Sequence, residues 1–600
     1  MAKAEDIQLE EQFAQKRMSK ETFFRLMQYL HPYRKKFVLN LAFTLLATAS
    51  GLLGPKFIQV AIDRYLTTFA SAPTARWGLV IVSLVYLVNL LLGWFFSVAQ
   101  VKSAISIGQG AMNDLRLAVF EHIQRLSLNY FDQTHQGRII TRADSDIGSL
   151  DQVLTWGANQ LLSSSLTLIG VIAIMLRYDF RLCLAVGVVV PFLAVGTRVF
   201  HIHIMPSIRN MIEQSSRVTA AVAENISGVR VVQAFAREEE NLARFRGVHD
   251  SYAVRAVMAA RIFHTYMPFI ALISGLGTTI IIGYGGTLAM RNEITVGELA
   301  AFILYLGMFF GPIQTMGDLY NALLSAAASA ERIFQLLDTK PQVANRTDAT
   351  PLPPVRGHIV FERVCFRYDT TPSDKWILKD ICFEANPGET VALVGATGSG
   401  KTSVISLIAR FYEPQQGRIL MDGINLQETT VESLRSQIGI VTQENFLFTG
   451  TVMENLKFGR PNATDEEVIE AARSLGTHEI ILRLEKAYET KVSERGGNFS
   501  AGERQLMTFT RAMVARPRIL ILDEATSAVD SHTEAVIQYA LGKLFERRTC
   551  FVVAHRLSTV RHAHQIMVLQ EGAIVERGNH DELIAHGGHY AKLYEEFVRH

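Results

Sequence analysis

The rhythm of apolar residues divides this chain into two unlike halves. Over roughly its first 320 residues, apolar runs near the roughly 20 residues needed to cross a hydrocarbon layer alternate with charged stretches. They fall at about 36–61, 77–99, 153–176, 182–204, 261–290 and 296–322, which predicts six membrane spans. Residues 100–150 and 205–260 keep helical periodicity with few glycines or prolines, so the second to fifth spans are expected to continue as helices beyond the bilayer. Each of these rods is interrupted once. The first break is LSLNYFDQTHQG, with Tyr130 and Phe131 beside Asp132 and Gln133; the second is ENISGVRVVQAFARE, with Gly228 and Phe235. Aromatics at the tip of a polar rod have no core of their own and call for a partner, unless they only pack locally.

After residue 357 the rhythm changes. Short β-rich runs (HIVFERVCFRY, KDICFEA, TVALVG, RILMDG, IGIVTQ, RILILDE, TCFVVAH, QIMVLQEGAIV) are separated by helical patterns, which predicts a mixed α/β domain. The organisation read from these patterns is a polar tail at 1–19, a transmembrane domain at 20–335, a proline-rich polar linker at 336–357 and a nucleotide-binding domain at 358–600. Within 20–32, KETFFRLMQYLHP gathers Phe23, Phe24, Leu26, Met27 and Leu30 near one face, which suits a helix on a membrane surface or one packed on a core.

Composition agrees with a mixture of membrane and soluble parts: apolar residues make up 49% of the 600, too many for an ordinary soluble protein. A net charge of +2 argues against a nucleic-acid partner held by a broad basic surface. The four cysteines are scattered without metal or disulfide spacing, and the N-terminal stretch has no apolar core of a signal peptide. The two long inter-span segments are rich in arginine, including Arg116, Arg125, Arg138, Arg142, Arg217, Arg230 and Arg237, so both are expected in the cytoplasm with both termini. Lys56 and Asp318 are ionisable groups near span ends, where snorkelling and substrate contact are both open.

The chemistry starts at VALVGATGSGKT, residues 391–402, where a buried-strand pattern breaks into a glycine-rich turn. Gly395, Gly398 and Gly400 free the backbone to aim N–H groups at phosphate oxygens, with Thr397 and Ser399 in the same loop. Lys401 would reach the β- and γ-phosphates of ATP and Thr402 would ligate Mg²⁺. Asp523 and Glu524 end an apolar strand: Asp523 suits the Mg²⁺ shell, Glu524 the polarising of attacking water. His555 likewise ends a buried strand, as a structural residue or a γ-phosphate contact.

Tyr368, the 395–402 loop, Gln443 in VTQENFLF, FSAGERQL at 499–506, ILILDE at 519–524, SAVD at 527–530 and His555 stand in the order of an ATP-binding cassette. With six spans before them, nearly the whole chain resembles an ABC exporter half-transporter. The resemblance implies that Tyr368 stacks on adenine, Gln443 senses Mg²⁺ and water, and Asp530 lies at a dimer seam. It implies that Ser500 and Gly502 contact the γ-phosphate of ATP held by the opposite subunit. It further implies that Glu494 lies in a segment touching the membrane helices and that the two rod tips are coupling helices. Such a chain works as a dimer in the cytoplasmic membrane, exporting hydrophobic drugs, lipids or peptides from the bilayer or cytoplasm by alternating access.

The chain departs from the family's usual LSGGQ signature, with Phe499-Ser500-Ala501-Gly502-Glu503 in its place, while Glu524 and His555 are intact. It thereby resembles the catalytically complete subunit of bacterial heterodimeric multidrug and peptide exporters (TmrA-type, similar to antigen-peptide transporters). The implied partner is a second half-transporter with a standard signature and a defective carboxylate; a homodimer is the alternative. On this reading, Glu524→Gln should nearly abolish ATP turnover yet keep ATP binding, while the same change at the partner's matching position should matter little. Turnover and nucleotide binding of the two variant pairs check this.

Overall fold

The computed structural model describes residues 19–66, 74–372, 374–523, 531–553 and 560–599. The chain divides into two compact units, one of Met1–Glu121 with Ile140–Asp338 and one of His122–Ile139 with Thr339–His600.

In the first unit, six helical stretches are long and apolar enough to cross a membrane: Glu21–Leu66, Ala75–Arg125, Gln136–Tyr178, Phe180–Ser227, Glu238–Met290 and Val296–Gly317. The second to fifth are 43–53 residues long, about twice a bilayer crossing, as the unbroken periodicity predicts. Helices suit this setting because hydrocarbon offers backbone N–H and C=O groups no partner except one another. Pro55, Pro206, Pro268 and Pro312 sit well inside these helices without ending them.

Polar groups inside the unit are tied together. Lys56 donates to Gln59 Oε1 at 2.7 Å and its ammonium lies 5.1 Å from the Tyr178 ring centre, while the Tyr178 hydroxyl donates to the same Gln59 oxygen. Lys56 is therefore bonded to its neighbours in the helix wall; the side chain of Asp318 is outside the described residues. Asp146, only 3% exposed, accepts from Ser329 Oγ at 2.8 Å and from Arg332 Nε at 3.0 Å. The pair clamps the start of the third stretch to the last helix, Val296–Asp338. The first helix, Lys20–Leu30, combines both expectations for its stretch: Leu26 is buried whereas Phe24 is 66% exposed. Its Arg25 forms a two-pronged pair with Asp338 at 2.7 and 2.8 Å, a geometry that matches a planar guanidinium to a carboxylate.

The second unit holds twelve strands among the described residues. A four-stranded antiparallel sheet, in the order β2-β1-β4-β5, is built from β1 (Ile359–Phe366), β2 (Leu378–Ala385), β4 (Gln416–Met421) and β5 (Ile424–Asn425). The six-stranded sheet comprises β3 (Thr390–Val394), β6 (Ile438–Val441), β9 (Ile519–Asp523), β10 (Thr549–Val553), β11 (Gln565–Gln570) and β12 (Ala573–Gly578). Its order is β12-β11-β3-β10-β9-β6, parallel except for the β11–β12 hairpin. β3 and β10 are buried along their whole length, which is why both read as continuous apolar runs. The short pair β7 (Gly450–Thr451) and β8 (Lys491–Val492) escapes sequence patterning because two residues carry no period. Between the sheets lies one core that includes Ile359, Phe361, Phe383, Val391, Leu393, Ile521 and Phe551.

Removing one member of a buried charge pair leaves the other uncompensated, at a cost of about 3 kcal/mol. Asp146→Ala should therefore lower the melting temperature of the purified chain clearly more than Asp146→Asn, which keeps an acceptor for Ser329; thermal unfolding in detergent checks the order.

Candidate active site

The parallel sheet brings the predicted chemistry to one edge. β3, β9 and β10 run side by side, so their carboxyl ends open on a shared crevice, where parallel α/β sheets bind ligands. β3 delivers Gly395–Gly400 there, β9 delivers Asp523, and β6, paired with β9, delivers the exposed Gln443. Glu524, Asp530 and His555 lie outside the described residues, immediately beyond or shortly after β9 and β10.

The loop's shape follows from its glycines. Gly395 has φ +151° and Gly400 φ +105°, conformations that side chains disfavour. A Cβ on Gly395 would sit 2.3 Å from the Leu569 carbonyl oxygen, and one on Gly400 2.6 Å from Leu378, so space forbids a side chain as well. Gly398, at φ +81°, has open room around it and needs glycine for its backbone alone. Gly400 then opens the helix Lys401–Ile408, whose first N–H groups have no partner in the helix and form the positive end of its dipole.

Lys401 is 7% exposed and curls over its own loop, donating from Nζ to Gly395 O at 2.8 Å and Ala396 O at 2.9 Å. Burial pushes its pKa down, and the negative charge of Asp523 works against that shift. The Ser399 hydroxyl is buried without a hydrogen-bond partner among the described residues, while Thr397 and Thr402 are exposed. An orphaned hydroxyl, a caged ammonium and a ring of glycine amides form a donor set that fits a polyphosphate. Thr402, Asp523 and Gln443, all oxygen-bearing, are the hard donors that Mg²⁺ favours.

Tyr368 is half-buried. Its hydroxyl bonds Ser403 Oγ at 2.9 Å and its ring stands edge-on to Phe366 and Tyr412, with centroids 4.8 and 5.1 Å away. Burial raises its pKa, so it is a neutral phenol. The Tyr412 hydroxyl in turn donates to Asp132, on the short helix Leu128–Gln133 that forms the first rod tip. On the same tip Asn129 donates to Gln342 Oε1 and to Asp369 Oδ2, both at 2.9 Å, and Asp369 adjoins Tyr368 in the chain. Tyr130 and Phe131, the tip aromatics that called for a partner, are half-buried, and this tip belongs to the same compact unit as the nucleotide-binding fold. Tyr412, Ser403 and Asn129 carry no sequence signal for this role, since nothing in local spacing brings residues 129–132 to residue 412.

The altered signature stands apart from the loop. Ser500 caps the helix Ala501–Val514: Ser500 Oγ accepts from Glu503 N at 3.2 Å, and the Glu503 carboxylate accepts from Ser500 N at 2.8 Å. Glu503 is thus the third-position acid of a capping box, a place that glutamine fills equally well. Gly502 is buried, and among the described residues neither it nor Ser500 shares a hydrogen bond with the 395–402 loop. Glu494 is exposed at the start of a single 3₁₀ turn, Glu494–Gly496.

Residues 37–313 match the ABC transporter transmembrane region and residues 378–527 the ABC transporter family model. The chain is 41% identical over 574 residues to an uncharacterized ABC transporter ATP-binding protein, YknV, of Bacillus subtilis, covering 95% of this chain and 93% of that one. It is 39% identical over 509 residues to the fatty acid ABC transporter ATP-binding/permease protein of Mycobacterium bovis, covering 85% and 79%. Among solved structures it resembles a bacterial Atm1-family ABC exporter with ATP bound, at 29% identity and a TM-score of 0.77 over 94% of this chain and 98% of that one.

Because the capping box tolerates either residue, Glu503→Gln should leave the melting temperature within about 0.5 kcal/mol equivalent of the parent, whereas Glu503→Ala should cost about 1 kcal/mol. If the acidic charge hinders turnover, Glu503→Gln should also raise the ATPase rate; steady-state phosphate release measures it.

Proposed function

The chain belongs to the ABC transporters, with an exporter-type transmembrane region and an ATP-hydrolysing domain in one polypeptide, and from this premise we propose that it is one half of a dimeric exporter. ATP hydrolysis coupled to transport is its activity. One observation carries the dimer: the chain has one phosphate loop and one signature, and Ser500 and Gly502 make no hydrogen bond with the loop among the described residues. A second chain's signature would then complete the site, giving a two-fold arrangement of paired surfaces.

In this reading Tyr368 holds adenine, the 395–400 amides and Lys401 hold the phosphates, and Ser500 and Gly502 reach the γ-phosphate in the opposite subunit. Glu524 orients the attacking water, His555 contacts the γ-phosphate and Asp530 lies at the seam. Thr402, Asp523 and Gln443 would hold Mg²⁺, which when bound neutralises charge developing between the β- and γ-oxygens. Lys401 must leave the Gly395 and Ala396 carbonyls to meet a phosphate, so nucleotide binding exchanges two neutral acceptors for charged oxygens. The Asp132–Tyr412 bond ties the first rod tip to the aromatic group that includes Tyr368. The second tip, helix Val229–Ala234, exposes Val231 at 61% and Phe235 at 73%, an apolar end suited to the partner's nucleotide domain.

The substrate class we propose is small hydrophobic or amphipathic molecules, among drugs, lipids and peptides; the name of the Mycobacterium bovis relative supports the lipid-like end of that range. Both termini and both tips lie on the cytoplasmic side, in accord with the arginine bias. The altered signature beside the intact Glu524 supports a heterodimer. The capping role of Glu503 favours a second reading, a homodimer, because the acid then does the structural work of the usual glutamine.

Affinity capture of the tagged chain from its native membrane separates the two readings: a second half-transporter in equal amount supports the heterodimer, the chain alone the homodimer. In inverted vesicles the captured protein should accumulate amphipathic dyes only with hydrolysable ATP; flux that merely follows the gradient would mark an ATP-gated channel instead. Tyr412→Phe should keep nucleotide affinity within about twofold yet lower transport per ATP hydrolysed, because it removes one hydrogen bond worth about 1 kcal/mol from the tip.

A further inference from the structure

The phosphate loop has a second face. Beside it lies a cavity of about 410 Å³, walled by Gly395–Ser399, by the end of β11 with its turn (Val568–Glu571), and by the last helix, His589–Arg599. Among the described residues its lining leaves out Tyr368, Lys401, Thr402 and Asp523, so the groups proposed for adenine and Mg²⁺ stand outside it. Loop and strand meet closely here: a Cβ on Gly395 would lie 2.3 Å from the Leu569 carbonyl oxygen and 2.8 Å from Ser399 Oγ, which places the Ser399 hydroxyl at this face. Ser399 is 5% exposed, and its hydroxyl has no hydrogen-bond partner among the described residues. A buried hydroxyl in that state is a donor in want of an acceptor.

The last helix is held in register with the strand that carries the loop. Glu576 on β12 accepts from the His589 and Tyr590 amides at 2.5 and 3.0 Å, and the buried Tyr590 hydroxyl shares a 2.7 Å hydrogen bond with His580 Nδ1. Tyr590 belongs to the same apolar core as Ala392 and Val394 of β3. His589 and Lys592, three positions apart, therefore share one face of an anchored helix, and both line the cavity. Glu576 already takes the helix's first amides, so positive charge reaches the cavity from these two side chains: Lys592 as a cation, His589 as a donor or a cation according to pH. The carboxylate in the lining, among the described residues, is Glu571 at the turn after β11.

We infer that this cavity is a binding site for inorganic phosphate, the product that leaves the loop when ATP is hydrolysed. Lys592, His589 and the Ser399 hydroxyl would donate to its bare oxygens. Glu571 would accept from its P–OH group, because phosphate near neutral pH keeps a proton. Sulfate has the same shape and no such proton, so it would meet the Glu571 carboxylate only as a like charge. A site shared between the loop and the last helix gives phosphate a stop between cleavage and release. The inference rests on the reading of residues 395–402 as the ATP site and adds a place for the product of that reaction.

For the test, the chain with its natural partner, in lipid nanodiscs with saturating MgADP, is dialysed to equilibrium against radiolabelled inorganic phosphate. Lys592→Gln should raise the half-saturating phosphate concentration about tenfold, the loss of one charge-assisted contact, and Lys592→Arg should restore it to within about threefold. An equal concentration of sulfate should leave the label in place on the parent chain but displace it from Glu571→Gln. Inhibition of the ATPase by added phosphate, followed as ADP formation, should weaken by the same factor in Lys592→Gln, while the half-saturating ATP concentration moves by less than about twofold. Equal phosphate retention by the parent and Lys592→Gln would put the anion inside the loop itself and overturn the site. Equal displacement by sulfate from the parent, the mark of an adventitious ion only, would do the same. A comparable rise in half-saturating ATP would assign Lys592 to the terminal phosphate of the nucleotide and also overturn it. Hydrolysis is measured in the same preparation: ATP turnover with phosphate retention unmoved by Lys592→Gln defeats the site and leaves the ATP reading, whereas Lys592-dependent retention without turnover defeats the ATP reading and leaves the site.

Discussion

A polyphosphate is best held by backbone N–H groups, and a backbone can surround one only where it turns in ways that side chains forbid. Gly395 and Gly400 meet that constraint twice over, by positive φ and by the carbonyl and methyl groups that crowd them. The rest of the ATP-binding unit follows from holding this loop still. β3 is buried along its length between β10 and β11, so the loop's first residue is anchored in the middle of the parallel sheet. β9 and β6 bring acid and amide to the same edge because parallel strands all point their carboxyl ends one way. At Lys401 burial lowers the pKa of the ammonium, and two loop carbonyls with the charge of Asp523 offset part of the lost hydration.

The membrane unit meets the same backbone requirement in the opposite way, pairing backbone groups inside helices whose second to fifth stretches are 43–53 residues long. Its few internal polar groups are bonded to one another. Lys56, Gln59 and Tyr178 form one such set, and Asp146, Ser329 and Arg332 another. These sets act as register pins between helices, since lipid gives apolar helix faces no preference among neighbours.

A short run of contacts ties the first rod tip into the nucleotide-binding fold. Tyr368 touches Tyr412, Tyr412 bonds Asp132, and Asn129 bonds Asp369, so the helix Leu128–Gln133 is tied to the chain at Tyr368–Asp369. A neutral phenol donating to a carboxylate is a directional tie, and it joins the short helix Leu128–Gln133 to the aromatic corner beside Tyr368. The two tips differ in this respect. The first is satisfied within its own unit, and the second presents Phe235 and Val231 outward.

Much was legible from sequence because the signals are local or periodic. Apolar runs long enough for a bilayer, strands buried on both faces, and a glycine loop ending in Lys401 and Thr402 each declare themselves within a dozen or two residues. The meaning of the Glu503 departure was not legible, because only the folded helix start shows its carboxylate bonded to the Ser500 amide. Sequence showed that Tyr130 and Phe131 needed a partner, but not where on the chain they would be half-buried. The Asp132–Tyr412 tie and the cavity shared by the phosphate loop and Lys592 bring together residues far apart in the chain. Periodicity and spacing carry information only along the chain, so they determined the elements and the phosphate loop. Which side chains meet across elements depends on packing in three dimensions, and the tertiary structure alone decided it.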